Sequence, residues 1–123
     1  MALFGCGGDR DRTKRPLMGA IAAKCADFVI VTSDNPRTEV PGDIIKDILA
    51  GMKGIRTPYA VIENRREAIA YAIDNHLPGD VIVLAGKGHE TYQIIGKEKH
   101  HMDEREIVAE HLAKRAQAKT EKE

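Results

Sequence analysis

The chain has 123 residues, which suits one domain with a hydrophobic core that needs neither a metal nor a disulfide. Its 19 basic residues balance its 19 acidic residues, so net charge provides no overall attraction to nucleic acid or to a membrane surface. Because no apolar run approaches the roughly 20 residues that span a bilayer and no signal peptide is visible, we expect a cytoplasmic protein that binds neither nucleic acid nor membranes.

Two strand–loop–helix units are predicted first. A strand over 3–6 runs into a glycine-rich polar loop, and Pro16 suits the first turn of the next helix. One face of this helix carries Leu17, Ala20, Ile21 and Cys25. A second strand over 28–32 ends in a polar loop, and Pro41 opens a helix that Gly51 ends. The apolar stripe of this second helix consists of Ile44, Ile45, Ile48 and Leu49.

The third unit has a predicted strand over 59–62, followed by Asn64 and Glu67 at the spacing of a helix capping box. Its helix ends before Pro78 and is predicted to carry three side chains inward: Ile69, Ile73 and His76.

The fourth predicted strand, 81–85, leads into a polar loop and then a hairpin that turns around Gly96 and Lys97. Asp103 and Glu106 predict the cap of a last helix. Five side chains follow in it at helical spacing: Ile107, Val108, His111, Leu112 and Arg115. From about Ala116 the chain is wholly polar, so we expect a domain of 1–115 and a frayed tail of 116–123.

These repeats predict an α/β fold with a mostly parallel sheet, to which the hairpin adds antiparallel edge strands. All the polar loops would then gather at the carboxyl ends of the strands. Because open α/β sheets bind ligands at that edge, the sequence predicts one site assembled from four loops.

The loop Asp34-Asn35-Pro36-Arg37 is the first candidate for ligand binding. A residue before proline is extended, so the turn presents Arg37, whose planar fork can hold a carboxylate or a phosphate. The alternative interpretation is a helix-entry turn in which Arg37 pairs with Glu39. The spacing alone does not choose between the two.

The second candidate, Gly86-Lys87-Gly88-His89-Glu90, allows close approach of the backbone to a ligand. In it, Lys87 could meet an anion and Glu90 could accept an ammonium group. The alternative is a tight turn with solvated charges. The loop lacks the spacing of a nucleotide-binding P-loop, and the first loop lacks the spacing of a dinucleotide fingerprint.

The sequence gives little support to a metal site, a redox site or a catalytic nucleophile. His100 and His101 point to opposite faces of a strand, so we expect no metal site. Cys6 and Cys25 lack metal or redox spacing and are predicted to be buried side chains without a disulfide. No set of residues predicts a catalytic nucleophile. The charged run around Arg10, Arg12 and Arg15 predicts a solvated loop, from which one or two arginines reach the cleft.

Taken together, the loops offer guanidinium groups for carboxylates and a carboxylate for an ammonium group. The candidate contacts are Arg10, Asn35, Arg37, the Gly86 backbone and Glu90. This set is complementary to an amino acid that carries an extra carboxylate.

Three ordered motifs resemble the C-terminal domain of Mur ligases, in the form that adds meso-diaminopimelate. The motifs are 4–11 followed by 14–18, Asp34-Asn35-Pro36-Arg37-Thr38-Glu39, and Ala85-Gly86-Lys87-Gly88-His89-Glu90 with Tyr92-Gln93. The resemblance extends from about Leu3 to Leu112. It implies a Rossmann-like three-layer sandwich of about six strands with an antiparallel edge.

The resemblance also implies roles for residues. Those matching the diaminopimelate contacts are Arg10, Asn35, Arg37, Gly86 and Glu90, with Asp34, Lys87 and His89 as possible supporting residues. Lysine-adding relatives lack the arginine at position 37. The implied parent enzyme uses ATP and Mg²⁺ to form an acyl phosphate on UDP-N-acetylmuramoyl-L-alanyl-D-glutamate, which the amine of meso-diaminopimelate then attacks.

The family's P-loop, its magnesium ligands, its modified lysine and its UDP-binding domain have no counterpart in this sequence. We therefore expect an excised domain that binds no cofactor by itself and is inactive alone. Two alternatives remain: the domain of a ligase that adds lysine or another amino acid, and a non-enzymatic α/β module that binds an anion or a partner protein.

Overall fold

The computed structural model describes residues 1–87 and 90–121. The strands are β1 (Ala2–Phe4), β2 (Val29–Val31), β3 (Tyr59–Val61), β4 (Val83–Leu84), β5 (Tyr92–Ile95) and β6 (Glu98–His101). The helices are α1 (Lys14–Cys25), α2 (Pro41–Ala50), α3 (Arg65–Asn75) and α4 (Glu104–Glu121). The predicted order of strands and helices is confirmed, although each of the four parallel strands is shorter than its apolar run.

Strands β1 to β4 form one parallel sheet in the order β3-β2-β1-β4. Leu3 of central β1 is in register with Ile30 of β2 and with Leu84 of β4. From β1 the chain therefore adds β2 and β3 on one side of the sheet, and β4 then pairs with the other side of β1. This change of direction places a crevice beyond the carboxyl ends of β1 and β4, where ligands bind in open α/β sheets.

Helices cover both faces of the sheet, which confirms the three-layer sandwich. Neighbouring residues of β1 point in opposite directions: Phe4 joins a cluster with Ile48 of α2, and Leu3 joins a cluster with Ile69 of α3 and Ile107 of α4. Central strand β2 is buried along its whole length because it has helices on both faces. None of the described helices combines the length and the apolar character needed to cross a membrane.

The predicted hairpin is present as β5 and β6, but it forms its own two-stranded sheet. It does not extend the edge of the parallel sheet. Instead, Ile95 of β5 makes an isolated parallel bridge to Arg37, in the loop after β2. The hairpin pairs with a loop because the Ile94 carbonyl accepts a hydrogen bond from the Arg37 amide (3.1 Å).

Helix α1 packs through a different face from the predicted one. Its buried residues are Arg15, Gly19 and Ala23, whereas Leu17 and Ile21 are each 62% exposed. The reason is the closeness of α2, since a Cβ atom on Gly19 would overlap the Ile48 carbonyl. Gly19 and Ala23, two small residues four positions apart on one helix face, allow this close approach, and the larger side chains of Leu17 and Ile21 remain on the outer face.

Helices α2 and α3 largely match their predictions. Pro41 starts α2, whose Ile44, Ile45 and Ile48 are buried. Asn64 caps α3 by accepting a hydrogen bond from the Glu67 backbone amide (3.0 Å), and Ile69 and Ile73 are buried. The inward placement of His76 is wrong, because α3 ends at Asn75 and the exposed His76 lies beyond its last turn.

Helix α4 departs from its prediction at its first turn. The Asp103 carboxylate accepts a hydrogen bond from the Arg105 amide (3.0 Å), while Glu106 pairs with His101 (2.8 Å). Within the described residues α4 continues to Glu121, so 116–121 is helical, and the expected fraying of this end stays a prediction. Alanine, lysine, arginine, glutamine and glutamate dominate this end, and they are strong helix formers even without an apolar stripe.

Candidate functional site

A cleft of about 400 Å³ lies at the carboxyl ends of β1 and β4, at the switch point where the strand order changes direction. Its walls include Gly5 and Gly7 after β1, Arg10 before α1, Asp34 after β2 and Gly86 after β4. Three of the four predicted loops therefore contribute to it. The fourth loop, after β3, lines a separate cavity of about 590 Å³ together with Gln93 and Ile95 of the hairpin.

Glycines bring two of the cleft loops into direct backbone contact. The Gly8 amide donates a hydrogen bond to the Asn35 carbonyl (2.7 Å), and a Cβ atom on Gly8 would overlap the Pro36 carbonyl. Gly86 has a φ of 108°, a conformation that strains residues with a side chain. The glycines thus set the positions of the loops, and the polar side chains between them provide the chemistry.

Arg37 is held in an unusual conformation beside the glycine loop that borders the cleft, although it is not among the residues that line the cleft itself. Its φ is 52°, and its guanidinium donates to the Gly8 carbonyl (3.0 Å). Its backbone makes two hydrogen bonds with the hairpin, to the Ile94 carbonyl and from the Gly96 amide. The alternative pairing with Glu39 is wrong, because Glu39 binds Arg15 instead (2.7 Å).

Arg10 supplies a second positive charge. It lines the cleft and is exposed. Within 1–87 and 90–121 it makes no hydrogen bond or ion pair, and only one N–H of the Arg37 guanidinium has a partner. Because arginine carries five N–H donors, both side chains keep donors available for a carboxylate.

Lys87 is buried and does not face a ligand. Its ammonium donates to Asn35 Oδ1 (3.1 Å) and the Tyr92 carbonyl (2.8 Å). It also lies 3.1 Å from Asp34 Oδ1 and 3.9 Å from Glu90 Oε2. The expectation that Lys87 meets an external anion is therefore wrong, because protein oxygens surround it.

The surroundings of Lys87 carry a net negative charge, since two carboxylates share one ammonium group. Asp34 Oδ1 and Glu90 Oε2 are buried, and neither accepts a hydrogen bond from a described residue. The contacts of Lys87 with both are ion pairs without hydrogen-bond geometry. This arrangement favours a cation nearby, and the Asp34 side chain lines the cleft.

Asn35 holds the loops together through atoms that we expected to face a ligand. It is 5% exposed, and its Oδ1 accepts hydrogen bonds from Lys87 and from the Ile94 amide (2.9 Å). The remaining predicted residue, His89, lies outside the described residues.

Arg15 is a buried structural residue that the sequence interpretation missed, because the charged run was assigned to solvent. It is 1% exposed and bonds Glu39, Asp47 (2.9 Å) and the Gly7 carbonyl (3.1 Å). The hydrogen bond from Arg15 lowers the pKa of Glu39. The pKa of Asp47 is lowered by hydrogen bonds from Arg12, the larger effect, and from Arg15. Arg15 therefore fixes the glycine loop to α2.

Arg65 was also missed, although it follows the cap residue Asn64. It is 1% exposed, and its guanidinium donates to the Ser33 carbonyl (3.1 Å), the Ala85 carbonyl (3.0 Å) and Glu104 (3.0 Å). The sequence signal that could have identified Arg65 is its position at the carboxyl edge of the sheet, because an arginine there can reach the ends of neighbouring strands.

Both cysteines are free, as predicted. Cys6 lines the cleft but is 7% exposed, and burial raises its pKa to about 11. Its thiol is therefore protonated at neutral pH and a poor nucleophile. The predicted burial of Cys25 is wrong, because it lies exposed at the end of α1, outside the cleft lining.

The sequence contains no nucleotide-binding P-loop, and Lys87, in the glycine loop after β4, is enclosed by protein oxygens. Within the part of the chain that the structure describes, no three His, Cys, Asp or Glu side chains are grouped to hold a metal ion.

Comparison with known proteins identifies relatives over almost the whole chain. The relative from Caldanaerobacter subterraneus subsp. tengcongensis is 63% identical over 111 residues, which are 90% of this chain and 23% of that protein. The relative from Clostridioides difficile is 57% identical over 114 residues, 93% of this chain and 24% of that protein. Both are named UDP-N-acetylmuramoyl-L-alanyl-D-glutamate--2,6-diaminopimelate ligase.

A solved structure of a ligase with that name superimposes with a TM-score of 0.87 at 46% identity, over 94% of this chain and 24% of the other. The chain thus spans about a quarter of the length of its relatives. The family model described as "Mur ligase, glutamate ligase domain" matches residues 1–88, which include β1 to β4 and the cleft loops. With this match, the close relatives and the shared fold, the chain belongs to the Mur ligase family, as its glutamate ligase domain.

Proposed function

We propose that this chain is the amino-acid-binding domain of an ATP-dependent ligase that adds meso-diaminopimelate to UDP-N-acetylmuramoyl-L-alanyl-D-glutamate in peptidoglycan synthesis. The names of its relatives support the reaction. The cleft at the β1/β4 switch point supports the role of the domain, because it combines opposite charges at one edge of the sheet.

The observation that carries the proposal is that guanidinium donors and an excess of carboxylate charge around Lys87 lie at the same edge of the sheet. Arg10 and Arg37 keep N–H donors for carboxylates. Asp34 and Glu90 together outweigh the charge of Lys87 and favour an ammonium group. Diaminopimelate carries two carboxylates and two ammonium groups, so it can satisfy both sides of this arrangement.

In the proposed enzyme this domain binds and orients the amino acid. ATP and Mg²⁺ activate the acceptor carboxylate in a part of the enzyme outside this chain. The domain acts as a rigid lid that brings the amine to the activated carboxylate and excludes water. The isolated chain is therefore expected to be inactive, and its cytoplasmic location stays a prediction.

The test begins with amide NMR titration of the chain with meso-diaminopimelate and, separately, L-lysine. We expect shifts in the loops of Arg10, Arg37 and Glu90 with diaminopimelate only. A chimera, in which this chain replaces the matching quarter of the Caldanaerobacter relative, then provides an assay with the rest of the enzyme present. A chimera that folds but does not ligate diaminopimelate would contradict the proposal.

The two alternatives have different outcomes in the same assays. A lysine-adding ligase would turn over L-lysine in the chimera in preference to diaminopimelate. A non-enzymatic anion-binding module would respond equally to both amino acids and leave the chimera inactive. The position of Arg37 beside the glycine loop supports diaminopimelate over lysine, because lysine lacks the second carboxylate with which this guanidinium would pair.

A further inference from the structure

We propose that Arg65 is a positioning residue for the amino-acid site: it holds the two loops that carry Asp34 and Gly86 at their working separation. This inference rests on the proposed function, because it concerns the binding of the same amino acid. It assigns a role to a residue that does not line the cleft itself.

The three hydrogen bonds of Arg65 connect parts of the site that are distant in the sequence. Nη1 donates to the carbonyl of Ser33, the residue before Asp34, and Nη2 donates to the carbonyl of Ala85, the residue before Gly86. These carbonyls follow β2 and β4, which lie on opposite sides of β1 in the sheet. One guanidinium group therefore spans the carboxyl end of β1 and sets the distance between the two loops.

The geometry requires an arginine. The group is fully enclosed, and its Nε donates to Glu104 at the start of α4, so α4 fixes the direction of the planar fork. A lysine at this position has a single ammonium nitrogen and cannot reproduce a planar group that reaches three acceptors. At least one of the carbonyls would lose its partner, and its loop would shift.

The link from Arg65 to the ligand passes through short connections. The loop after Ser33 includes Asp34, which lines the cleft, and Arg37, whose guanidinium contacts Gly8. Displacing this loop relative to Gly86 changes the width of the cleft, while the strands and helices stay in place. Small errors in position at a binding site can cost about a hundredfold in efficiency.

The experiment uses the chimeric ligase with Arg65→Lys. We expect the KM for meso-diaminopimelate to rise about tenfold or more, while the KM values for ATP and the UDP-linked substrate change by less than about twofold. The matched control is Arg66→Lys, since the neighbouring Arg66 is exposed and pairs with Glu110. Its three KM values are expected to stay within about twofold of the parent.

A second variant, Glu104→Gln, removes the charge that orients the guanidinium and keeps the volume of the side chain. We expect the KM for diaminopimelate to rise selectively again, but by a smaller factor than in Arg65→Lys. If Arg65→Lys does not fold, the Glu104→Gln variant provides the test. A loss of kcat or melting temperature with unchanged KM for diaminopimelate in the folded variants would overturn the proposal. Failure of the parent chimera to use diaminopimelate would instead contradict the proposed function.

Discussion

At the scale of single residues, the charged side chains around the cleft divide into two groups. Arg15, Arg65 and Lys87 are buried and donate hydrogen bonds to protein oxygens that fix the loops. Among the described residues, Arg10 has no hydrogen-bond partner and Arg37 uses only one N–H of its guanidinium, so both keep free donors. Because a free guanidinium donor can pair with a ligand carboxylate, specificity is expected to depend on the second group.

Substituting Arg37 should affect one substrate selectively. In the chimeric ligase, Arg37→Ala is expected to weaken the use of meso-diaminopimelate by about 1–3 kcal/mol, the cost of losing a hydrogen-bond partner of a charged group. Selectivity over L-lysine should fall with it. The measurement is kcat/KM for both amino acids, and unchanged kinetics with diaminopimelate would refute the assigned role.

At the scale of elements, the closeness of α1 and α2 decides how the glycine loop is presented. Gly19 faces the Ile48 carbonyl in this contact, and Arg15 on the same face reaches Glu39 and Asp47. The hairpin has a similar function for the other loop, since β5 bonds the backbone of Arg37 and the side chain of Asn35. Each site loop is thus supported by a neighbouring element outside the parallel sheet.

Gly19→Ala should destabilise the chain by about 1–3 kcal/mol, because its Cβ atom overlaps the backbone of α2 and forces the helices apart. Gly42→Ala is the control, as Gly42 lies in α2 with no atom within 4 Å of the added carbon. It should be neutral or stabilising by up to about 1 kcal/mol. Urea unfolding measures both, and equal effects would contradict the packing described for α1.

At the scale of the whole molecule, charge pairs hold the outer layers to the sheet at its carboxyl edge. Arg15 connects the α1 and α2 side, and Arg65 with Glu104 connects the α3 and α4 side. When one partner of such an ion pair is neutralised, the other charge is left buried without a counter-charge, which destabilises the fold. Stability should therefore depend on pH in the range where carboxyl groups titrate.

Acid should weaken the fold through Glu39 and Asp47, whose pKa values lie below their ordinary values of about 4 because arginines donate hydrogen bonds to them. The unfolded chain binds more protons in this range, so their contribution is complete above about pH 5 and is lost as pH falls through the lowered values. Asp47→Asn should reduce the loss of unfolding free energy between pH 7 and about pH 3. An equally steep loss in the variant would contradict this account.

Much of the fold and of the site could be predicted from the sequence. Apolar runs, Pro41, the Asn64 cap and the Gly96 turn are local signals, and they predicted the order of strands and helices. The polar residues after each run then had to meet at one edge, because parallel strands share their direction. The position of Arg37 beside the glycine loop follows from the same reasoning.

The sequence by itself therefore determined which elements form and placed three loops correctly at the cleft, those after β1, β2 and β4, but it also assigned the loop after β3 to the cleft, which is wrong. Only the tertiary structure decided the packed face of α1, the burial of Arg15 and Arg65, and the pairing of β5 with a loop. The physical reason is that backbone propensity and periodicity act between near neighbours. The burial of a charge depends instead on partners that are distant in the chain, as Glu104 is from Arg65.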